Sequence, residues 1–278
     1  MGRYQPIAGE HAVDEAVVGV RLFDAVDEET YQAAIKIGSD LAKEVDLPGR
    51  VQLDPMSLLV GRQVVSAGYT DMAMYPGMLF QRVNADGSMA EELTIERSAV
   101  TYRTRSYKRW ADVQGYIRNI LIPIVESLTK NDPTEISVVE LRCVDKFTSP
   151  QEDFPALGDL IRADCDLVPP HMLKLREFMH IHSGWFSRQG GDGRDLINVN
   201  IDVNDDRFGG IVTSILQVFS TQSARKGGIF CTPQSLSEIL HLHFENLHAQ
   251  DKRMLARLLT DEMQTSINLV GSSGLGEA

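Results

Sequence analysis

The chain has 278 residues, 39 acidic against 27 basic, for a net charge of −12; 43 % of its residues are apolar and 24 % charged. That much apolar surface can offset the entropy of ordering, which excludes a wholly disordered chain, and no run reaches the roughly eighteen apolar residues of a spanning helix. Three cysteines (Cys143, Cys165, Cys231), far apart and without a CxxC pair, exclude a disulfide framework or zinc ribbon and predict a reducing compartment.

Met1 to Glu10 lacks the charged-then-apolar pattern of a signal peptide, so a cytoplasmic protein without a membrane partner is expected. A β-branched strand follows at Ala16 to Val26. Asp27-Glu28-Glu29-Thr30 is an acidic helix start, and Tyr31, Ala34, Ile35, Ile37, Leu41 and Val45 continue at roughly helical spacing until Pro48-Gly49. Met78 to Val83 and Leu93 to Thr104 predict a hairpin with Asp86-Gly87 in its loop. Tyr107 to Leu128 predicts a long helix, ended by Asn131-Asp132-Pro133.

A second strand, Ser137 to Phe147, repeats the first without gaps at two Val, the Arg (Arg21, Arg142) and the Asp (Asp24, Asp145). A proline-rich stretch then allows short helices near Leu157 to Ala163 and His171 to Arg176. Strands are predicted at Phe178 to Ser187, Leu196 to Asn204 and Ile211 to Thr221, and a helix at Ser235 to Ile267. In the middle strand Ile197, Val199, Ile201 and Val203 alternate with polar residues, so one face is buried. The short connections make these strands antiparallel. The expectation is an α+β fold: a tandem duplication of a strand, helix, antiparallel sheet and long helix, each sheet lying on its long helix. The halves would be 1–133 and 134–270, with a Gly/Ser-rich tail at 271–278.

These elements resemble a sporadically distributed family of uncharacterised bacterial proteins of about this length. Its opening P-I-V-E-A-x-x-x-I-R-F strand is matched by His11 to Leu22, its Tyr-x-x-Trp helix start by Tyr107 to Trp110, and its L-R-Y-I-N-like strand by Leu141 to Phe147. Asn200-Ile201-Asp202-Val203 matches an I-D-I-D-like strand. Leu247-His248, Leu255 and Leu259-Thr260-Asp261-Glu262 match its closing helix. Cys143, Asp145 and Leu255 stand where the pattern has Tyr, Asn and Phe. The resemblance carries no reaction with it; its sporadic distribution is compatible with a defence or immunity/antitoxin role.

The sharpest local feature is an acid-free basic and aromatic stretch: Arg97, Arg103, Arg105, Lys108 and Arg109 among Tyr102, Tyr107 and Trp110. It could hold phosphates and stack bases. The same residues equally describe a guarded strand edge or a patch pairing with acids, and the net charge repels a polyanion. His180 and His182 share a strand face and, with Asp202 and Asp206, are candidates for a metal site; two ordinary strand histidines fit as well. His241, His243 and His248 read as surface or interface histidines of the last helix. Gly190-Gly191-Asp192-Gly193 lacks the lysine of a phosphate loop, and no G-x-S-x-G occurs. Cys143 reads as buried and inert. Arg21 and Arg142 are expected to make structural contacts, or to bind an anion as a pair. With no cofactor or catalytic residue indicated, a non-enzymatic binding or assembly protein is expected, as a homodimer or with a protein partner. Leu242 and Met254, off the main stripe of the last helix, point the same way. A metal-dependent nuclease or phosphohydrolase, and a nucleic-acid binder using residues 97–110, are the alternatives.

Overall fold

A computed structural model describes residues 4–53, 77–150, 154–189, 192–205, 210–230 and 234–269; the predicted tail at 271–278 lies outside them. The fold is α+β with a large antiparallel sheet. The chain forms two units, each discontinuous in sequence. One comprises Val17–Val139 with Ser223–His241; the other Met1–Ala16, Glu140–Gln222 and Leu242–Ala278. We call them the 17–139 unit and the 140–222 unit.

In the 17–139 unit the strands are β2 (Val13–Leu22, from Val17), β3 (Gly49–Leu53), β4 (Gly77–Val83), β5 (Met89–Glu96), β6 (Ala99–Thr104) and the start of β7 (Ile136–Pro150), in the order β3-β4-β5-β6-β2-β7. Helix α1 (Glu28–Glu44) starts where Asp27 accepts from Thr30 N–H at 2.7 Å, satisfying an orphan donor of the first turn. It buries Tyr31, Ala34, Ile35, Gly38 and Ala42, one face of a 3.6-residue period. It ends where Asp46 takes a left-handed conformation (φ 57°) and Leu47 N–H returns to Ala42 O at 2.9 Å.

The predicted strand Leu93 to Thr104 is in fact two. β5 and β6 are joined at Arg97-Ser98, with Glu96 opposite Ala99. No Gly or Asn marks this turn; it is held from outside, where Val26 N–H reaches Arg97 O (3.0 Å) and Leu22 N–H reaches Ser98 O (2.8 Å). The following helix is also less regular than its spacing implies. α2 (Trp110–Tyr116) passes through a π turn, Ile117–Leu121, into α3 (Ile122–Thr129). Pro123 removes one helical donor and crowds the preceding turn, and Ile122 N–H accordingly bonds to Ile117 O, the wider i−5 pattern. Ile117, Ile120, Leu121, Ile124, Val125 and Leu128 line the buried side.

In the 140–222 unit the order is β2-β7-β10-β9-β8, with β1 (Gln5–Pro6) antiparallel to β7, β8 at Met179–Gln189, β9 at Gly193–Asp205 and β10 at Gly210–Ser223. β8 and β9 are antiparallel through eleven consecutive pairs, Met179↔Val203 to Gln189↔Gly193, without a register shift. The predicted short helices between β7 and β8 are single 3₁₀ turns, Leu157–Asp159 and Met172–Lys174. The predicted helix 235–267 breaks. α4 (Leu236–Leu258) stops, Leu259 bridges to Ile161, and Thr260 N–H reaches Leu160 O (2.9 Å); the Thr260 hydroxyl then caps α5 (Asp261–Ser266). The core holds Phe147, Val199, Ile201, Ile215, Phe219, Phe244, Leu247 and Leu258.

Candidate functional site

Two polar clusters are built into the interiors. In the 17–139 unit, Glu91 on β5 is 5 % exposed. Arg82 Nη2 lies 2.6 Å from its Oε2, and the Tyr116 and Tyr102 hydroxyls donate to its two oxygens at 3.1 Å. The tyrosine rings stack, with centroids 4.2 Å apart. Burial, with the Glu91 charge beside them, pushes both phenols up, so they stay protonated and can donate to Glu91. Arg82 Nη2 and the two phenol hydroxyls converge on Glu91.

In the 140–222 unit the core faces of β7, β10 and α4 bring together Cys143, Asp145, Gln217, His248 and Asp251. Gln217 Nε2 donates to Asp251 Oδ1 at 3.1 Å and to Asp145 Oδ2 at 3.5 Å. Burial raises both carboxyls, Asp145 to about 7 and Asp251 well above its ordinary value, with the neighbouring acid adding to the rise of Asp251. The pair therefore holds a proton at neutral pH. His248 Nδ1 lies 3.9 Å from Asp251, but this is no ion pair: burial, with Lys252 nearby, lowers the imidazole to about 4 and keeps it neutral. Cys143 is buried as expected, and burial beside Asp251 and Asp145 raises its thiol. Its surroundings are acidic rather than apolar. The sequence reading missed Gln217 and Asp251; three polar residues at core-facing positions of otherwise apolar elements were the available signal.

The basic stretch is dispersed. Arg97 pairs with Glu28 and lies over the Tyr31 ring (5.9 Å to its centroid). Arg103 stands opposite Glu92 on β5. Arg109 reaches Asp112 at 3.2 Å. Arg105 and Lys108 are exposed, Tyr107 and Trp110 half-buried, and Tyr102 belongs to the Glu91 cluster. Arg142 Nη2 lies 3.2 Å from Glu15, while Arg21 is half-buried on β2, its carbonyl accepting from Ser137 Oγ at 3.1 Å. The aligned acids differ: Asp24 is at the surface, 2.7 Å from Lys226, whereas Asp145 is in the core. His180 Nδ1 and Asp202 Oδ1 are 2.6 Å apart, and His182 is opposite Asn200. Asp206 lies outside the described residues. Among the described residues no three His, Cys, Asp or Glu side chains converge as metal ligands would.

What the outer surface offers is the open face of β8. Its residues alternate: Ile181 is buried, whereas His180, His182, Gly184, Phe186 and Arg188 are exposed. Phe178, which continues this face, and Phe186 are each 55 % exposed. Phe178 leans on Phe154 (centroids 5.5 Å apart), and the Arg194 guanidinium lies 4.5 Å from the centre of the Phe186 ring. β8 is also the last strand of its sheet order. By contrast, a hollow of about 290 Å³ lined by Gln32, Lys36, Asp40 and Arg50 is open and below the roughly 300–1,000 Å³ of ligand pockets. Of the two off-stripe residues of the last helix, Met254 is buried and Leu242 is 49 % exposed. No family model, curated protein or solved structure matches the chain.

Proposed function

We propose that this is a non-enzymatic binding or assembly protein that docks a protein partner along β8. The observation that carries this reading is the pairing of a long terminal strand with two phenylalanines more than half exposed on its open face. Strand ends of sheets invite a further strand, and exposed aromatics beside arginine are the residues that anchor interfaces. The inward-turned chemistry supports the same reading. The Asp145–Asp251 pair and the Glu91 carboxylate take hydrogen bonds from side chains of their own interiors. Local pairing of Arg97 and Arg109 with acids, and the place of Arg103 opposite Glu92, weaken the case for a polyanion partner.

A duplicated origin is part of the proposal. In one unit β2 is followed outward by β6, β5 and β4; in the other β7 is followed by β10, β9 and β8. Between β7 and β8 the described residues hold 3₁₀ turns where the first repeat has α1, so the two copies would have diverged there. Membership of the sporadic bacterial family, and a cytoplasmic defence or immunity role, rest on the sequence resemblance. The test is Phe186→Glu. Binding to a partner, its own copy included, should fall at least about ten-fold with the circular dichroism spectrum unchanged; unchanged binding would refute the role of β8.

A further inference from the structure

On its open face the β8–β9 ribbon carries opposite charge at its two ends, with Asp192 in the turn beyond the basic end. At one end Arg188 and Arg194 sit directly opposite each other on neighbouring strands and on the same open face. Like charges so placed repel; Arg194 Nε donates to Gln222 (2.9 Å) and its guanidinium lies over the Phe186 ring. At the other end are Asp202, held by His180, and the exposed Asp205. The two ends are about 27 Å apart along the strand, eight residues at the usual rise. Between them lies Gly184, at the middle of β8. Among the described residues the strand has no Lys, no Pro and no register shift against β9.

We propose that β8 pairs antiparallel with β8 of a second copy of this chain, about a two-fold axis at Gly184. This rests on the docking reading above and names its partner. Antiparallel self-pairing is the arrangement that lays each basic end over the other copy's acidic end. In this register Gly184 faces itself, His182 faces Phe186 of the second copy, and His180 faces Arg188, whose long side chain extends over the neighbouring Asp202. The glycine leaves open space at the axis, where the flanking His182 and Phe186 rings can lie over the bare backbone. The contact is isologous and closes at two copies, so the edge is consumed rather than propagated into a fibre. A strand peptide from another protein would use the same backbone groups, but nothing would require it to be dipolar in this sense.

The test is the mass of the full chain by sedimentation across a concentration series, with three variants. The wild type should be a dimer. Arg188→Asp should raise the dimer dissociation constant at least about ten-fold, and adding Asp202→Lys to it should recover most of the loss, because the charges are exchanged rather than removed. Gly184→Cys, in a Cys231→Ser background that keeps only the buried Cys143 and Cys165, should form a disulfide-linked dimer on mild oxidation, since the facing positions fall within disulfide reach. A Cβ at Gly184 meets its neighbours at 3.4 Å or more, so the site accepts it. A wild type that stays monomeric up to about 100 µM, or a dimer that neither responds to the charge exchange nor cross-links at position 184, overturns self-pairing. If a monomer binds another protein and Phe186→Glu abolishes that, self-pairing falls while the docking reading stands. If Phe186→Glu affects neither mass nor any binding, both fall.

Discussion

Replacing Asp145 by Asn should remove a pH dependence from the stability of the 140–222 unit. The Asp145 carboxyl has an ordinary value of 3.8 and is raised by burial to about 7 in the folded chain. A carboxyl raised on folding is bound to its proton more tightly in the native state, so its stabilising share is complete below 3.8 and disappears as pH climbs towards 7. The gap of roughly three pH units corresponds to about 4 kcal/mol in all, of which about 3 kcal/mol falls between pH 5 and pH 8. Asn has the same shape, can still accept from Gln217 Nε2, and carries no charge for Asp251 to repel. Urea unfolding at pH 5, 6, 7 and 8 would follow the outcome. The Asn variant should gain on the wild type steadily, by about 3 kcal/mol over the range. Parallel curves for the two proteins would mean that Asp145 is ionised without penalty, and the account of the buried pair would be wrong.

Further outcomes follow from single contacts. Gly38→Val should destabilise the 17–139 unit by about 1–3 kcal/mol in denaturant unfolding, because a Cβ there collides with the Ile95 side chain where α1 lies against β5. Tyr116→Phe should cost about 1.5–3 kcal/mol, since it deletes a 3.1 Å hydrogen bond to the buried Glu91; an unchanged midpoint would mean that Arg82 and Tyr102 suffice. Asp27→Ala should cost about 1 kcal/mol by losing the cap of α1, read as a lower unfolding midpoint, whereas Asp27→Ser should restore most of it.

Regular elements were legible in the sequence because burial imposes its period on them. α1, the π-interrupted helix pair, β7 and the antiparallel β8 to β10 stand close to their expected spans, and the inward set Val199, Ile201 and Val203 follows the alternation. The misses have a common cause, which is control by residues distant in the chain. The Arg97-Ser98 turn is fixed by the backbone N–H groups of Leu22 and Val26, and the break at Thr260 by Leu160; neither leaves a local glycine or proline to read. The acid pair was invisible for the same reason, because Asp145 and Asp251 become partners only when β7 and α4 meet. The open face of β8 was half legible. His180 and His182 were seen to share a side, but whether that side is covered depends on packing that no alternation reports.

Each unit draws on widely separated stretches of the chain, and this bears on biosynthesis. The 17–139 unit needs Ser223–His241, and the 140–222 unit needs the residues from Leu242 onward. As the polypeptide leaves the ribosome, neither can finish until residues beyond 222 have been translated. Until then β10 lacks the helix that covers Gln217 and Phe219, and the nascent chain must wait with unburied strands. An mRNA truncated shortly after codon 222 would yield not half a working protein but two incomplete ones.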